Sequence, residues 1–412
     1  MKNRRWQQAM FMIGMFASFT VIVICSVLMY QTFFRDTSTD IDDPKDPYKI
    51  IREEILEEAK VLVSKHYVDD ALALITQRPE IRNKDVEAYV AQLKIVQSSY
   101  VRYQGRIEHI FFHSLIVDPQ KAYGPTSSDP KGYDLWMITV DEFKKILDQL
   151  YSRGYVLVSL EDIYEHVDGR WEEKPLFLPY GKKPLLVSVD NIGYTTSRIK
   201  DGFASKLILN EEMELISEIT HSDQSKTLSK EGDVFPILET FLKQHPDFSY
   251  QDARAMLGVT GNMGILGYDP KKPEEKEEAI RLVNHMKILG WEFVNHSYTH
   301  AAGNYYSETS KLSSIQEDFE LFHETMNPIM GKSNVFIAPF GILLKEPMFS
   351  YIQQQGYNVY ATVDRRSQPV IQQGSLILPR VNIDGFVMRN DTEYINEHFF
   401  NVSEVFDSLR NP

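Results

Sequence analysis

The hydrophobic and polar positions of the chain fall into three regimes. The first is an uncharged run, Ala9 to Tyr30, of 22 positions, about 33 Å long as a helix. The second, from Tyr48 to about Tyr103, places apolar residues at Ile51, Ile55, Ala59 and Leu62, then at Val86, Val90, Leu93 and Val96. These are helical spacings, and Pro79 divides them into at least two helices. The third begins at Ile107. Short apolar runs, Ile110–Ile116, Val156–Leu160, Leu185–Asp190, Ala255–Thr260, Trp291–Asn295, Val335–Pro339, Val359–Val363 and Leu376–Val381, read as strands. Amphipathic stretches between them, including Val140–Ser152, Lys276–Leu289, Ser314–Met330 and Met348–Gln355, read as helices. Strand–helix alternation implies parallel strands joined by crossover helices, and seven or eight such units close into a barrel-like α/β domain.

The gap from Asp190 to Ala255 is too long for a simple crossover. It holds a hairpin candidate, Lys206–Leu209 and Glu214–Ile219 turning at Asn210-Glu211-Glu212, and a helix near Val234–Leu242. This reads as an excursion over the barrel mouth, where loops shape access. The expected organisation is a tail and transmembrane signal anchor over 1–34, a linker over 35–47 and a helical spacer over 48–105. The α/β domain follows over 106–390 with an insertion at 195–254, and then a C-terminal helix over 391–412.

Charge orients the first segment. Lys2, Arg4 and Arg5 precede the apolar run; Arg35 and then Asp36, Asp40, Asp42, Asp43 and Asp46 follow it. The positive-inside rule keeps the N-terminus cytoplasmic and exports the rest, giving a single-pass protein of the cell membrane. The competing reading is a cleaved signal peptide, but Leu28-Met29-Tyr30-Gln31 offers no small-x-small cleavage site. Ile24 is too bulky for lipoprotein processing at Cys25.

Composition narrows the classes further. With 412 residues, 43% hydrophobic and 25% charged, the chain is not disordered throughout. A net charge of −14 and no basic run beyond the N-terminus exclude a phosphate-binding nucleic-acid surface. One cysteine, Cys25, excludes a disulfide framework and Cys-rich metal modules.

The densest chemistry lies in Trp291-Glu-Phe-Val-Asn-His296-Ser-Tyr-Thr-His300. A strand delivers His296, and a turn after Asn295 lets His300 face the same point, as a metal site requires. The pair His109 and His113 shares the spacing but lies along a strand, where four residues span about 13 Å. Asp190-Asn191, His296/His300 and Pro339-Phe340-Gly341 all follow strands, so they meet at the C-terminal rim where barrel active sites form.

The ordered segments Ser188-Val189-Asp190-Asn191, His296-Ser297-Tyr298-Thr299-His300 and Ala338-Pro339-Phe340-Gly341 resemble the polysaccharide deacetylases of the NodB-homology type, carbohydrate esterase family 4. The resemblance spans roughly residues 107 to 386. It is nearer to the membrane-anchored type of Gram-positive bacteria, through Ile110-Phe-Phe-His113-Ser114-Leu115, Asp201-Gly202-Phe203-Ala204-Ser205 and Arg380-Val-Asn-Ile383-Asp384-Gly385. It implies a distorted (β/α)7–8 barrel and hydrolysis of N-acetyl groups on a cell-wall glycan, with release of acetate. It also implies a divalent metal, zinc first and cobalt or nickel as alternatives.

Carried over residue by residue, the resemblance makes Asp190 the catalytic base and His296 and His300 metal ligands. Asn191 stands where the family has a ligand carboxylate, and the backbone N–H of Phe340 would hold the oxyanion. Pro339, Tyr298 and Arg380 would line the substrate cleft. Tyr194, Tyr305 and Tyr306 are further candidates for stacking on sugar rings. The family often has Arg where Ile337 stands, and a terminal Leu-x-His that Leu376-Ile-Leu-Pro-Arg380 lacks. His113 is the substitute named for the missing general acid. These departures keep a second expectation open, a catalytically degenerate glycan-binding or scaffolding protein on the same fold.

Overall fold

A computed structural model describes residues 46–410. The expected cytoplasmic tail, anchor and most of the linker lie outside these residues. Among the described residues no helix is long and apolar enough to cross a membrane.

Seven parallel strands close a ring. Around it run Lys183–Asp190, Met256–Val259, Glu292–Asn295, Val335–Ile337, Val359–Val363, Ser375–Asn382 and Glu108–His113, which pairs back onto Lys183–Asp190. The eighth expected strand, Tyr155–Leu157, stays outside the ring. In the sheet it pairs with Lys183, Pro184 and Leu185, with one further bridge from Leu157 to Ser249, while Met256–Gly258 takes the rest of the same edge, from Ser188 to Asp190. It is also shorter than its apolar run suggested. Ser159 and Asp162 form a capping box that turns Leu160–Ile163 into helix.

The pleat sorts side chains into two cores. Leu186, Met256, Val294, Val335, Ile337, Val359, Ala361, Leu376 and Leu378 fill the lower barrel interior. Residues of the opposite parity, such as Ile110, Phe112, Leu185, Val187, Leu257 and Phe293, pack outward against the helices. One of these helices, Val140–Ser152, begins with a full Thr139–Glu142 capping box and sets Phe143 edge-on to Phe112 at 5.1 Å. The expected helix 314–330 is two helices, Leu312–Thr325 and Asn327–Met330, because Pro328 has no N–H to continue the backbone hydrogen-bond ladder.

The insertion holds the short helix Thr196–Lys200, a three-stranded antiparallel sheet and the helix Val234–Gln244. The hairpin Lys206–Leu209/Leu215–Thr220 forms as patterned, and Lys226–Ser229 adds an edge strand that the pattern did not indicate. Asp233, the N-cap of Val234–Gln244, accepts the Leu115 N–H at 3.0 Å, and Leu207 N–H donates to Leu266. The insertion is thereby pinned to loops at the C-terminal rim.

At the opposite end, Lys49–Ser64, Val68–Thr76 and Lys84–Ser98 pack around Ile55, Ala71, Ile75, Ile81 and Leu93. His66 ends the first helix in the left-handed region, φ 70°. Its ring bonds the Asp247 carbonyl at 2.9 Å and the Tyr100 hydroxyl at 2.8 Å. The strand Tyr100–Arg102 then pairs with Phe177–Pro179.

The C-terminal region is two short helices, Thr392–His398 and Val402–Val405, rather than one. Asn401 interrupts it by accepting the Ser403 N–H as an N-cap. Arg410 is the last described residue. Its buried guanidinium binds both Glu142 oxygens at 2.6 Å and the Asp134 and Met137 carbonyls.

Candidate active site

The upper barrel interior is polar where the lower is apolar. Ser188, Asp190, Arg380 and His296 are all buried here, and His113 stands in register with Asp190 across the adjacent strand. Asp190 is held from below by Arg380, Nη1 to Oδ1 at 2.8 Å and Nη2 to Oδ2 at 2.9 Å. Arg380 also donates to Ser188 Oγ at 2.9 Å, and Ser188 Oγ meets His109 Nε2 at 3.1 Å. Burial alone would raise the Asp190 carboxyl. The Arg380 guanidinium, with smaller contributions from His296 and His113, outweighs that and holds it well below the usual carboxylate range. Asp190 is therefore fully ionised and a weak base in this arrangement.

Close approach at this point requires glycine. A Cβ on Gly258 would stand 3.2 Å from Asp190 Oδ1 and 3.2 Å from the His296 Cβ.

His296 has a defined tautomer. Its Nδ1 donates to the Ile337 carbonyl at 2.9 Å, which leaves Nε2 unprotonated, 3.9 Å from Asp190 Oδ2. Burial draws its pKa down to about 3 and that of His113 to about 4. Both rings are neutral at neutral pH. The His300 ring centroid is 4.8 Å from that of His296 and 4.7 Å from Phe340.

The turn carrying these histidines is fixed by groups that no motif marked. Buried Asp318 accepts the Tyr298 and Thr299 N–H groups, each at 2.8 Å, and the Tyr306 hydroxyl at 2.8 Å. Asn295 Oδ1 takes the Ser297 N–H and Ser297 Oγ takes the His300 N–H. Asn191, Ser297, His300 and Phe340 all have φ between 50° and 69°. Left-handed backbone at four non-glycine rim residues is strain concentrated where the candidate chemistry lies.

The remaining expected residues are distributed as follows. Asn191 is buried, and its Oδ1 accepts the Thr260 hydroxyl at 2.7 Å. Phe340 is 59% exposed on the rim, while Pro339 beneath it is buried. Tyr298 is half-buried against the outer core, with its ring over Gly261. Arg380 lies under Asp190 at 1% exposure, behind the cleft rather than along it. Tyr194 and Tyr306 are buried on Asp233 and Asp318, whereas Tyr305 is partly exposed. Sequence reasoning missed Thr260, Gly258, Asp318 and Arg198. Thr260 alone had a usable signal, since it ends a rim strand.

The candidate donors for a divalent ion are two imidazoles and one amide oxygen. Two neutral imidazoles lie side by side, one with its free nitrogen defined, and the Asn191 amide oxygen is the third candidate. Among the described residues no group of three or more His, Cys, Asp or Glu side chains is placed to hold a metal ion.

No family model matches the chain, and no curated protein does. Several solved structures are similar, three of them as follows. The Streptococcus pyogenes deacetylase PplD in complex with acetate aligns at 14% identity and TM-score 0.40, over 72% of this chain and 99% of its own. IcaB from Ammonifex degensii aligns at 15% identity and TM-score 0.40, over 71% and 99%. A de-N-acetylase from Aggregatibacter actinomycetemcomitans aligns at 14% identity and TM-score 0.40, over 68% and 96%. Likenesses this loose leave the functional reading to rest on the residues described above.

Proposed function

We propose that this protein hydrolyses N-acetyl groups on a cell-wall glycan, converting an acetamide and water into a free amine and acetate. The supporting observation is the neutral, oriented His296, with Nε2 free 3.9 Å from the Asp190 carboxylate and the His300 ring beside it. A divalent ion, zinc first with cobalt or nickel as alternatives, held by His296, His300 and Asn191 would polarise the acetamide carbonyl and acidify a water.

The chain's own groups supply the rest. Asp190 accepts the proton of the attacking water at its carboxylate. Arg380 fixes that carboxylate in place, which makes it a positioning residue. The Phe340 N–H would face the developing oxyanion, and its exposed ring stands on the rim where a sugar would enter; Pro339 is buried beneath it and Tyr298 packs on the outer core, so the rim contact falls to Phe340. His113, in register with Asp190, is the candidate donor to the leaving amine; neutral at rest, it would pass on the proton that Asp190 takes from the water. The uncharged run Ala9–Tyr30 would anchor the chain in the cell membrane of a Gram-positive type of cell, with the barrel outside.

The test is acetate release from N-acetylated peptidoglycan by the full chain reconstituted with zinc or cobalt. Release that vanishes in His296→Ala and His300→Ala is expected. A folded, metal-loaded protein that releases none overturns the proposal. A second reading, a non-catalytic glycan-binding protein, is favoured by the same pair that orients the base. Arg380 lowers the basicity of Asp190, and Thr260 already occupies Asn191 Oδ1. Retained glycan binding without turnover would support it.

A further inference from the structure

Arg198 lies on Thr196–Lys200, the first helix after Asn191, and is half-buried beside the candidate site. Its Nη1 donates to the Asn191 carbonyl at 3.2 Å, its one side-chain hydrogen bond among the described residues. It makes no ion pair there, and a guanidinium has five N–H groups to place. The other deeply placed arginines are matched: Arg380 by Asp190, Arg410 by Glu142 and Asp134, and Arg254 by Glu239. The carboxylate acting on Arg198, Asp233, is not within ion-pair distance and is already committed to Leu115 N–H, Val234 N–H and the Tyr194 hydroxyl.

Through its bond to the Asn191 carbonyl, Arg198 adjoins the residue that follows the strand ending at Asp190. Only partly shielded from water and lacking an ion pair, this guanidinium has N–H groups left for an anionic ligand to fill. The chain carries a net charge of −14, which repels an acidic polymer except where a local cation offsets it.

We propose that Arg198 binds an anionic substituent, a carboxylate or a phosphate, on the glycan beside the acetamide, so that the substrate is an acidic rather than a neutral glycan. This rests on the reading of the site as a glycan-deacetylating one. An arginine fork matches either anion in two-point fashion.

The experiment is calorimetric binding to the full chain in detergent, alongside acetate release. Three probes of equal length serve: neutral N-acetylglucosamine tetramer, a tetramer whose muramic units carry lactyl carboxylates, and an N-acetylglucosamine 6-phosphate tetramer. The expected result is a preference of about tenfold or more for one acidic probe over the neutral one. Which probe gains identifies carboxylate or phosphate. Arg198→Gln should erase the preference, and Arg198→Lys should keep part of it, which also covers a Gln variant that fails to fold. Equal binding of all three probes, or a preference that survives Arg198→Gln, overturns the proposal. So does a fall in kcat at unchanged KM, which would place Arg198 on the oxyanion instead. Acid preference without acetate release sinks the deacetylase reading alone; acetate release without acid preference sinks this one alone.

Discussion

Arg380 and Asp190 lie 190 positions apart in sequence and meet as a two-point ion pair inside the barrel, at 2.8 and 2.9 Å. The guanidinium also rides 4.2 Å over the Phe111 ring. The pair fixes the candidate base in orientation and weakens it in proton affinity through the same contact.

Removing one partner should therefore cost more than removing both. Arg380→Met leaves an uncompensated buried carboxylate and is expected to lower stability by about 3–5 kcal/mol. Arg380→Met with Asp190→Asn should recover much of that. Urea unfolding of the two variants checks it; equal losses would mean the pair is not a coupled unit.

Asn191 is the weakest candidate ligand, because its oxygen is neutral and already bonded to Thr260. Asn191→Asp supplies a charged donor and is expected to raise zinc affinity by about 10-fold or more, read by competition with a chelator. An unchanged affinity would remove position 191 from the metal site.

Asp233 gives a pH-dependent prediction. Burial pushes its carboxyl up to about 6, against the combined pull of Tyr194, two backbone N–H groups and Arg198. The folded state thus holds this proton more tightly than the unfolded chain, whose ordinary value is 3.8. The contribution is full below pH 3.8 and is lost as pH rises through about 6. Asp233→Asn cannot ionise, so its stability should gain on the native chain as pH rises from 5 to 8, by about 1.4 kcal/mol, read from thermal unfolding at each pH. A difference independent of pH would show that folding leaves the carboxyl unshifted.

Arg410 should be as important to the fold as any core residue. A chain ending at Leu409 leaves Glu142 buried without its cation and the Met137 carbonyl without its guanidinium donor. A loss of about 3–5 kcal/mol is expected, measured by thermal unfolding. A change below about 1 kcal/mol would mean that water replaces the guanidinium at little cost.

Local pattern carried most of the barrel. Apolar β-branched runs located all eight candidate strands within a few residues, because burial on both faces leaves a continuous hydrophobic signal. Val359–Val363 and the helix Val140–Ser152 match their patterned limits. Tyr155–Leu157 did not reveal its place outside the ring, since sharing an edge with Met256–Val259 is a property of pairing rather than of its residues. The turn from His296 to His300 was legible from spacing. Its support from Asp318 was not, because one carboxylate on a helix looks like any solvated position until the chain folds over it. Arg380 was visible at the end of its strand, but whether it pointed along the cleft or beneath Asp190 depended on a partner from a distant strand.

The bonds of His66 with Asp247 and Tyr100 set the polarity of the whole molecule. With Lys65–Asp252 at 3.0 Å, they fasten the leading helices to segments that precede barrel strands, the pole opposite the mouth. The helix Lys49–Ser64 has 16 residues, so its start lies about 24 Å along its axis from that fastening. Any tether on the N-terminal side therefore pulls on the closed pole. Under the proposed anchor and glycan substrate, a polymer would enter at the pole opposite the leading helices, and the length of the barrel would set its distance from the tether.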